Sequence, residues 1–199
     1  MKIASLDSAE LGSLENLLSS YIAEKTAVAL SALIGEPVGH VVTKTRTGLG
    51  EIQDVRNHTK DLALCCVFLH GGGDIRLGIL YSIPERDAKM IAAKLLCLES
   101  VETLDDLGKS AVSEVGNIMS GSFFNALSDH TGLKVDLSTP GFAMAPFSSL
   151  FDPIVSKFVP AEGDIMTEVE FSCKGSGIRV HMLIIQDPEN ARKLLGRKG

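Results

Sequence analysis

The sequence predicts an α+β fold in which one unit, made of a long helix, three strands and a short helix, occurs twice. The first observation is a repeat: Ala29-Leu30-Ser31 with Gly35 recurs 97 residues later as Ala126-Leu127-Ser128 with Gly132. The second is that helical periodicity precedes both glycines, and the third is that strand-like runs follow both. Two such halves should share one largely antiparallel sheet around a pseudo-twofold axis, with helices packed on its faces.

Composition limits the class of protein. The chain has 199 residues, 45% of them hydrophobic and 22% charged, and a formal net charge of -6. We expect one domain over 1–199, with repeats at approximately 8–97 and 105–195. Nucleic acid is excluded as a partner by the acidic balance. No apolar run approaches the roughly 20 residues of a membrane span, and no secretory leader is visible, so a cytoplasmic protein is expected. The four cysteines form no C-x-x-C pair, which favours buried, reduced thiols.

Capping signals predict where the two long helices begin and end. Asp7-Ser8-Ala9-Glu10 and Thr103-Leu104-Asp105-Asp106 each place a capping side chain three residues before a carboxylate. Gly35 and Gly132 stand where a left-handed C-terminal cap is favoured. Each helix should therefore have about 25 residues and a length of roughly 40 Å.

Strand-like runs and proline-initiated helices complete each half. Turns are predicted at His70–Asp74 and Lys174–Gly177, and the Pro-, Ser- and Phe-rich segment 141–163 is predicted to be a loop. Pro84 and Pro188 each suit a first helical turn. The predicted strands are 38–47, 62–69, 77–83, a strand beginning at Val135, 166–173 and 178–185.

A polar stripe on the second long helix carries the candidate chemistry. Ser110, Glu114, Asn117 and Gly121 follow one another at spacings of four, three and four, which places them on one helical face. The opposite face carries Val112, Val115 and Met119. Gly116 and Gly121 each cost a helix about 1 kcal/mol, which suggests that a neighbour approaches closely there. On its own, a Glu and an Asn on an exposed helix face would usually be only solvated residues.

The full spacing resembles the signature of the CheC family of chemotaxis phosphatases, which includes CheX and FliY and is related to the FliM switch proteins. That signature is Asp or Ser, three residues, Glu, two residues, Asn, twenty-two residues and Pro. Here Ser110, Glu114, Asn117 and Pro140 match it, with 118–139 filling the gap, and Gly116 and Gly121 match its glycine context. The duplicated layout of this chain also resembles the family's own.

The resemblance implies a phosphatase that acts on the aspartyl phosphate of a CheY-type response regulator. Asn117 would then place the attacking water, and Glu114 would pair with a lysine of the regulator. Ser110 would help the fit, and Pro140 would shape the backbone. The protein would need no metal or cofactor of its own, because the regulator brings its Mg²⁺.

The first half departs from the signature. At a separation of 97 residues it carries Ser13, Leu17, Ser20 and Thr43. Leucine cannot pair with a cation and serine is shorter than asparagine, so one working site is expected.

The main alternative is a non-catalytic adaptor or flagellar-switch-type protein that binds a response regulator or the receptor deamidase CheD. Family members bind CheD, but no residue pattern locates such a surface here. An enzyme for small molecules is the least favoured reading, because no convergent group of His, Cys or Asp is visible.

Overall fold

The computed structural model describes residues 5–47, 63–146 and 164–196. These residues form four helices and seven strands, which confirms the predicted mixture of helices with an antiparallel sheet. The helices are α1 (Ser8–Ile34), α2 (Glu85–Leu95), α3 (Asp106–Thr131) and α4 (Pro188–Gly196). The strands are β1 (Val38–Thr47), β2 (Ala63–Gly73), β3 (Leu77–Pro84), β4 (Val135–Leu137), β5 (Gly141–Pro146), β6 (Ile165–Cys173) and β7 (Arg179–Gln186).

The two long helices are capped by residues close to those predicted. Asp7 and Glu10 form a reciprocal capping box at the start of α1. The cap of α3 is Asp105, whose Oδ1 accepts from the Gly108 amide at 2.8 Å, so the prediction of Thr103 was wrong by two residues. At Thr103 the chain is still turning, because the Thr103 carbonyl accepts from the Asp105 amide at 3.0 Å. Both helices end, as predicted, in a left-handed glycine.

A π-helical turn at Leu18–Ile22 distinguishes α1 from α3. Helix α1 has 27 residues, whereas α3 has 26 and contains no π turn. A π turn accommodates one additional residue without ending the helix. The two long helices therefore correspond in length apart from one inserted residue in α1.

The strand order is β1-β6-β7-β3-β2-β4, with β5 also pairing with β2, and every pairing is antiparallel. The first half supplies β1, β3 and β2, and the second half supplies β6, β7 and β4. Each end of the sheet is therefore an outer strand of one half followed by two strands of the other half, and the two ends meet at the central β7·β3 pair. Between the helices, the Ser122 hydroxyl donates to the Lys25 carbonyl at 3.0 Å, and these residues are 97 apart. A residue that contacts its own counterpart lies on a twofold axis, so this arrangement is compatible with the predicted duplication.

The glycine run 71–73 is not the turn that was predicted. It lies within β2, where Gly71 pairs with Leu77 of β3 and with Leu137 of β4. A Cβ on Gly71 would lie 2.5 Å from Val135 Cγ1 and 2.7 Å from the Phe124 ring. Glycine is therefore required here because β4 and α3 both approach this strand closely. The turn itself is Asp74–Arg76.

The segment predicted to be a loop from Gly141 begins as strand β5, so that part of the prediction was wrong. Residues 141–146 pair with 63–68 of β2. Its small and apolar residues fit a strand that flanks a buried neighbour. The rest of the predicted loop, 147–163, lies outside the described residues.

The main core lies on one face of the sheet. Inward side chains such as Val67, Tyr81 and Phe171 are fully buried, and the buried residues of all four described helices join them in one cluster. Helix α1 has the length and apolar composition of a membrane span, as the core helix of a soluble protein also can. Its Leu14, Leu18, Ile22 and Leu30 pack in this core. Three cysteines are buried as predicted, whereas Cys97 is exposed.

Candidate functional site on the second long helix

Glu114 and Asn117 lie side by side on the outer surface of α3. The Glu114 side chain is exposed and Asn117 is half-buried. The Asn117 amide donates through Nδ2 to Glu114 Oε2 at 3.4 Å, one helical turn away. Ser110 is exposed one turn earlier on the same face. A carboxylate, an amide and a hydroxyl are thus available together to a molecule that docks against this helix.

The depth of α3 on the sheet is set by the opposite face of the helix. Val112, Val115 and Met119 are fully buried there. Gly116 is also buried, and a Cβ at that position would lie 2.6 Å from Val67 Cγ1 and 3.4 Å from Tyr81 Cδ2. The close approach that the sequence suggested for this glycine is therefore an approach to the protein's own sheet.

A buried hydrogen bond also fixes the helix behind the stripe. Ser120 Oγ donates to the Tyr81 hydroxyl at 3.1 Å, and both side chains are inaccessible to solvent. Burial raises the pKa of Tyr81 above its ordinary value, so the phenol stays neutral and able to share a proton. Ser120 lies three residues after Asn117, so this bond limits rotation of the turn that presents the amide.

Gly121 has a different environment from Gly116. Nothing lies within 4 Å of the position that its Cβ would occupy. It lines a shallow cleft of about 500 Å³ between α3 and α1, together with Tyr21, Lys25 and Ile118. The end of the stripe therefore opens directly into the cleft between the two long helices.

Leu107 extends the stripe in a way that the sequence reasoning missed. It lies three residues before Ser110, and its side chain is 61% exposed. The spacing of three from Ser110 already places Leu107 on this face. It was not predicted because only the polar residues of the face were considered.

Pro140 lies in the connection between β4 and β5. It is half-buried and lines a cleft with Phe68 and Gly78, on the sheet face opposite the main core. No described contact joins it to Glu114 or Asn117. Its assignment as a residue that shapes the backbone stays a prediction.

The first-half positions carry no comparable group. Ser13 Oγ donates to the Ala9 carbonyl at 2.9 Å, and Ser20 Oγ donates to the Asn16 carbonyl at 2.8 Å, so both hydroxyls bond to their own helix. Leu17 is half-buried. Thr43 lies on β1, and its hydroxyl donates to the Glu168 carbonyl at 3.3 Å.

The π turn changes which residue corresponds to Glu114. The C-terminal caps, Gly35 and Gly132, are 97 residues apart, whereas the N-terminal caps, Asp7 and Asp105, are 98 apart. Counted from the N-terminal caps, the counterpart of Glu114 is Asn16, and the predicted Leu17 is displaced by one residue. Neither carries a carboxylate, so the corrected register also leaves the first half without an acid at the position of Glu114.

The described residues, 5–47, 63–146 and 164–196, contain no cluster of side chains suited to bind a metal ion. No group of three or more His, Cys, Asp or Glu side chains is placed there to hold an ion.

Comparisons with known proteins agree with the sequence signature. Residues 107–144 match the model of the CheC-like family, and this segment contains Ser110, Glu114, Asn117 and Pro140. The CheY-P phosphatase CheC of Bacillus subtilis is 24% identical over 142 residues, which are 67% of this chain and 68% of that protein.

Solved structures share the fold. FliY of Thermotoga maritima superimposes with a TM-score of 0.74 at 19% identity, covering 96% of each chain. A chain from the CheX–CheY–BeF3–Mg complex of Borrelia burgdorferi gives a TM-score of 0.58 at 18% identity, covering 83% of this chain and 96% of that one. The resemblance that the signature predicted is thus confirmed: this chain is homologous to CheC, carries the CheC-like family segment at residues 107–144, and has the fold of FliY and CheX.

Proposed function

We propose that this protein hydrolyses the aspartyl phosphate of a CheY-type response regulator, with Glu114 and Asn117 as the working residues. The observation that carries the proposal is the exposed pairing of these two side chains on the outer face of α3. Homology to CheC, which is named as a CheY-P phosphatase, supports the substrate class. The CheX structure that shares this fold was solved with CheY, which supports a regulator as the partner.

Phosphoryl transfer to water requires mainly positioning and electrostatic stabilisation. An amide can accept from and donate to a water without changing its own charge, so Asn117 is suited to hold the nucleophile in line with the departing aspartate oxygen. Orientation of this kind lowers a barrier by several kcal/mol, because the water is already placed when the reaction begins. The regulator supplies its own Mg²⁺ and lysine, and this protein supplies the water-positioning group.

Glu114 is suited to recognition. Before docking, its carboxylate accepts the long hydrogen bond from Asn117 Nδ2 at 3.4 Å. A lysine of the regulator would be a stronger partner for the carboxylate than the neutral amide. Pairing with that lysine would release the amide to engage the water, which couples correct docking to catalysis. Ser110 borders this pair one turn earlier and is positioned to contribute to the fit.

The test is the lifetime of the phosphorylated regulator with wild type and three variants. Asn117→Ala should reduce the rate of dephosphorylation by about 100-fold or more, because it removes the group that places the water. Glu114→Ala should lower both affinity and rate, because it removes a charge pair across the interface. Ser20→Ala is the control on the first half and should have little effect. Exposed polar substitutions usually change the free energy of unfolding by less than about 0.5 kcal/mol, so the variants should remain folded.

Two outcomes would contradict the proposal. Equal activity of wild type and Asn117→Ala would end the catalytic assignment and favour an adaptor that only binds the regulator. A large loss in Ser20→Ala would show that the first half also works and that the single-site assignment is wrong.

A further inference from the structure

Three exposed apolar side chains border the proposed site. Large hydrophobic residues that are solvent-exposed within the described ranges are Tyr21, Val28, Val41, Leu98, Leu107 and Met144. Leu107 continues the Ser110–Glu114–Asn117 stripe toward the start of α3. Tyr21 lines the cleft into which the other end of the stripe opens, and Val28 lies three residues after the cleft residue Lys25, on the same face of α1. Single exposed apolar residues need no explanation, but a group around one polar site does.

Lys25 adds a cation to the same area. It is exposed, lines the cleft with Gly121, and its Nζ lies 5.4 Å from the centroid of the Tyr21 ring. Its backbone carbonyl is held by Ser122, which fixes the turn of α1 that carries it. No carboxylate within the described residues forms an ion pair with the Lys25 ammonium. The cleft also holds the carboxylate of Asp129, so its charge is mixed, and Lys25 is the cation in it that an anionic group of a partner could approach.

We propose that Leu107, Val28, Tyr21 and Lys25 form, with the stripe, one docking face for the phosphorylated regulator. This inference rests on the proposed function, since it names the surface that would hold the partner while Glu114 and Asn117 act. The occupant is assigned by continuity, because Gly121 belongs both to the stripe and to the cleft that Lys25 lines. The open space over Gly121 lets a partner surface approach the helix backbone there.

The arrangement has the anatomy of a protein interface. Apolar anchors lie on either side of a polar centre: Leu107 toward the start of α3, and Tyr21 and Val28 on α1 across the cleft. Such anchors provide affinity, whereas charged groups at the rim set orientation and the rate of encounter. Lys25 would meet the anionic phosphoryl pocket of the regulator and guide it toward Asn117.

Matched controls are present in the chain. Val28 is 60% exposed on α1, and Val41 is 62% exposed on β1, remote in the fold from α3. Leu107 is 61% exposed, and Leu98, beyond the end of α2, is 53% exposed. Val28→Asp and Leu107→Asp therefore test the docking face, and Val41→Asp and Leu98→Asp make the same chemical change elsewhere. Lys25→Glu tests the charge.

The measurement is the affinity of each variant for a CheY-type regulator of the same organism loaded with beryllofluoride and Mg²⁺, together with KM and kcat for the phosphorylated form. Val28→Asp, Leu107→Asp and Lys25→Glu should each weaken binding by about 10-fold or more, with KM rising much more than kcat falls. Val41→Asp and Leu98→Asp should bind like wild type. Circular dichroism checks that all five variants are folded.

The outcomes separate this inference from the proposed function. Wild type that dephosphorylates the regulator, with all three docking-face variants binding equally well, would overturn the docking face alone. Wild type that neither binds nor dephosphorylates would overturn the proposed function and the docking face with it. If Val28→Asp or Leu107→Asp instead dissolves a self-association seen by sedimentation and leaves regulator binding unchanged, the face joins two copies of this chain and the assignment to the regulator is wrong.

Discussion

At the scale of single residues, two glycines of α3 differ in what surrounds them. Gly116 faces the sheet, where a Cβ would lie 2.6 Å from a Val67 methyl group. Gly121 faces outward, with nothing within 4 Å of its missing Cβ. The sequence predicted that some neighbour approaches closely at both. The neighbour of Gly116 is the sheet, whereas the space over Gly121 is open. This difference depends on how α3 is rotated about its axis relative to the sheet, which the sequence does not show.

Alanine at these two positions should change stability in opposite directions. Gly121→Ala should gain up to about 1 kcal/mol of unfolding free energy, because glycine is a poor helix former and the site is open. Gly116→Ala should lose stability overall, because overpacking against a buried valine costs about 1 to 3 kcal/mol and outweighs the same gain in helix propensity. Urea denaturation of both variants at pH 7 provides the measurement. A stabilised Gly116→Ala would mean that α3 can move away from β2 without cost.

At the scale of elements, a carboxylate joins three parts of the chain that are distant in sequence. Glu36 follows the C-terminal cap of α1, and its Oε2 accepts from the Gly175 and Ser176 amides in the β6–β7 turn, both at 2.8 Å. Its Oε1 lies 3.4 Å from Lys94 Nζ of α2. Hydrogen bonds from Ser176, then from Gly175 and Lys94, lower the pKa of Glu36 to about 2 despite partial burial. This carboxylate therefore ties both halves together where β1 enters the sheet.

The pH dependence of stability follows from that pKa. Because the pKa in the folded protein is below the ordinary value of 4.5, Glu36 stabilises the fold above pH 4.5, and this contribution is lost as the pH falls toward 2. Glu36→Gln should reduce the free energy of unfolding at pH 7 by about 2 kcal/mol, as expected for loss of hydrogen bonds to a charged group. The difference from wild type should be smaller at pH 3, as measured by urea denaturation at both values. An unchanged difference would show that charge is not what this contact requires.

Local signals predicted most of the elements. Capping residues and terminal glycines located both long helices, and prolines located the starts of α2 and α4. The errors arose where tertiary packing decides. The glycine run 71–73 reads as a turn in isolation and is a strand because β4 and α3 crowd it. Strand β5 has no hairpin signal because its partner, β2, lies far earlier in the chain.

The candidate site was predicted more completely than its surroundings. Helical spacing alone places Glu114 and Asn117 on one face, and the structure brings their side chains into contact. Lys25 and Tyr21 come from α1, and no local pattern connects them to α3. A fixed separation of 97 residues also could not predict which first-half residue corresponds to Glu114. The π turn in α1 shifts that correspondence by one residue, and it leaves no clear mark in the sequence.

At the scale of the whole molecule, the π turn predicts that the first half cannot be made active by simple substitution. Leu17→Glu with Ser20→Asn, introduced into the Asn117→Ala background, should not restore dephosphorylation. Leu17 directly precedes the π turn and Ser20 lies inside it, so the angle between these two side chains differs from the angle that three residues span in an α-helix. The regulator-phosphate assay measures the result. Activity recovered to near wild type would show that the turn leaves the face intact.

The Ser122–Lys25 contact has a consequence for encounters with a partner. If the predicted pseudo-twofold axis relates the two halves, it passes close to this contact, and the cleft would present nearly the same shape to a partner in two orientations related by half a turn. Only one of them would bring the partner's reactive group to Glu114 and Asn117, while the other would bring it to the positions 97 residues earlier, which are Leu17 and Ser20. Two equally favourable orientations would leave half of the complexes unproductive, a factor of two that corresponds to about 0.4 kcal/mol. The residues that the repeat pairs here are unlike, Lys25 with Ser122 and Val28 with Asn125. The two orientations would therefore offer a partner different contacts, and the initial docking itself could favour the productive one.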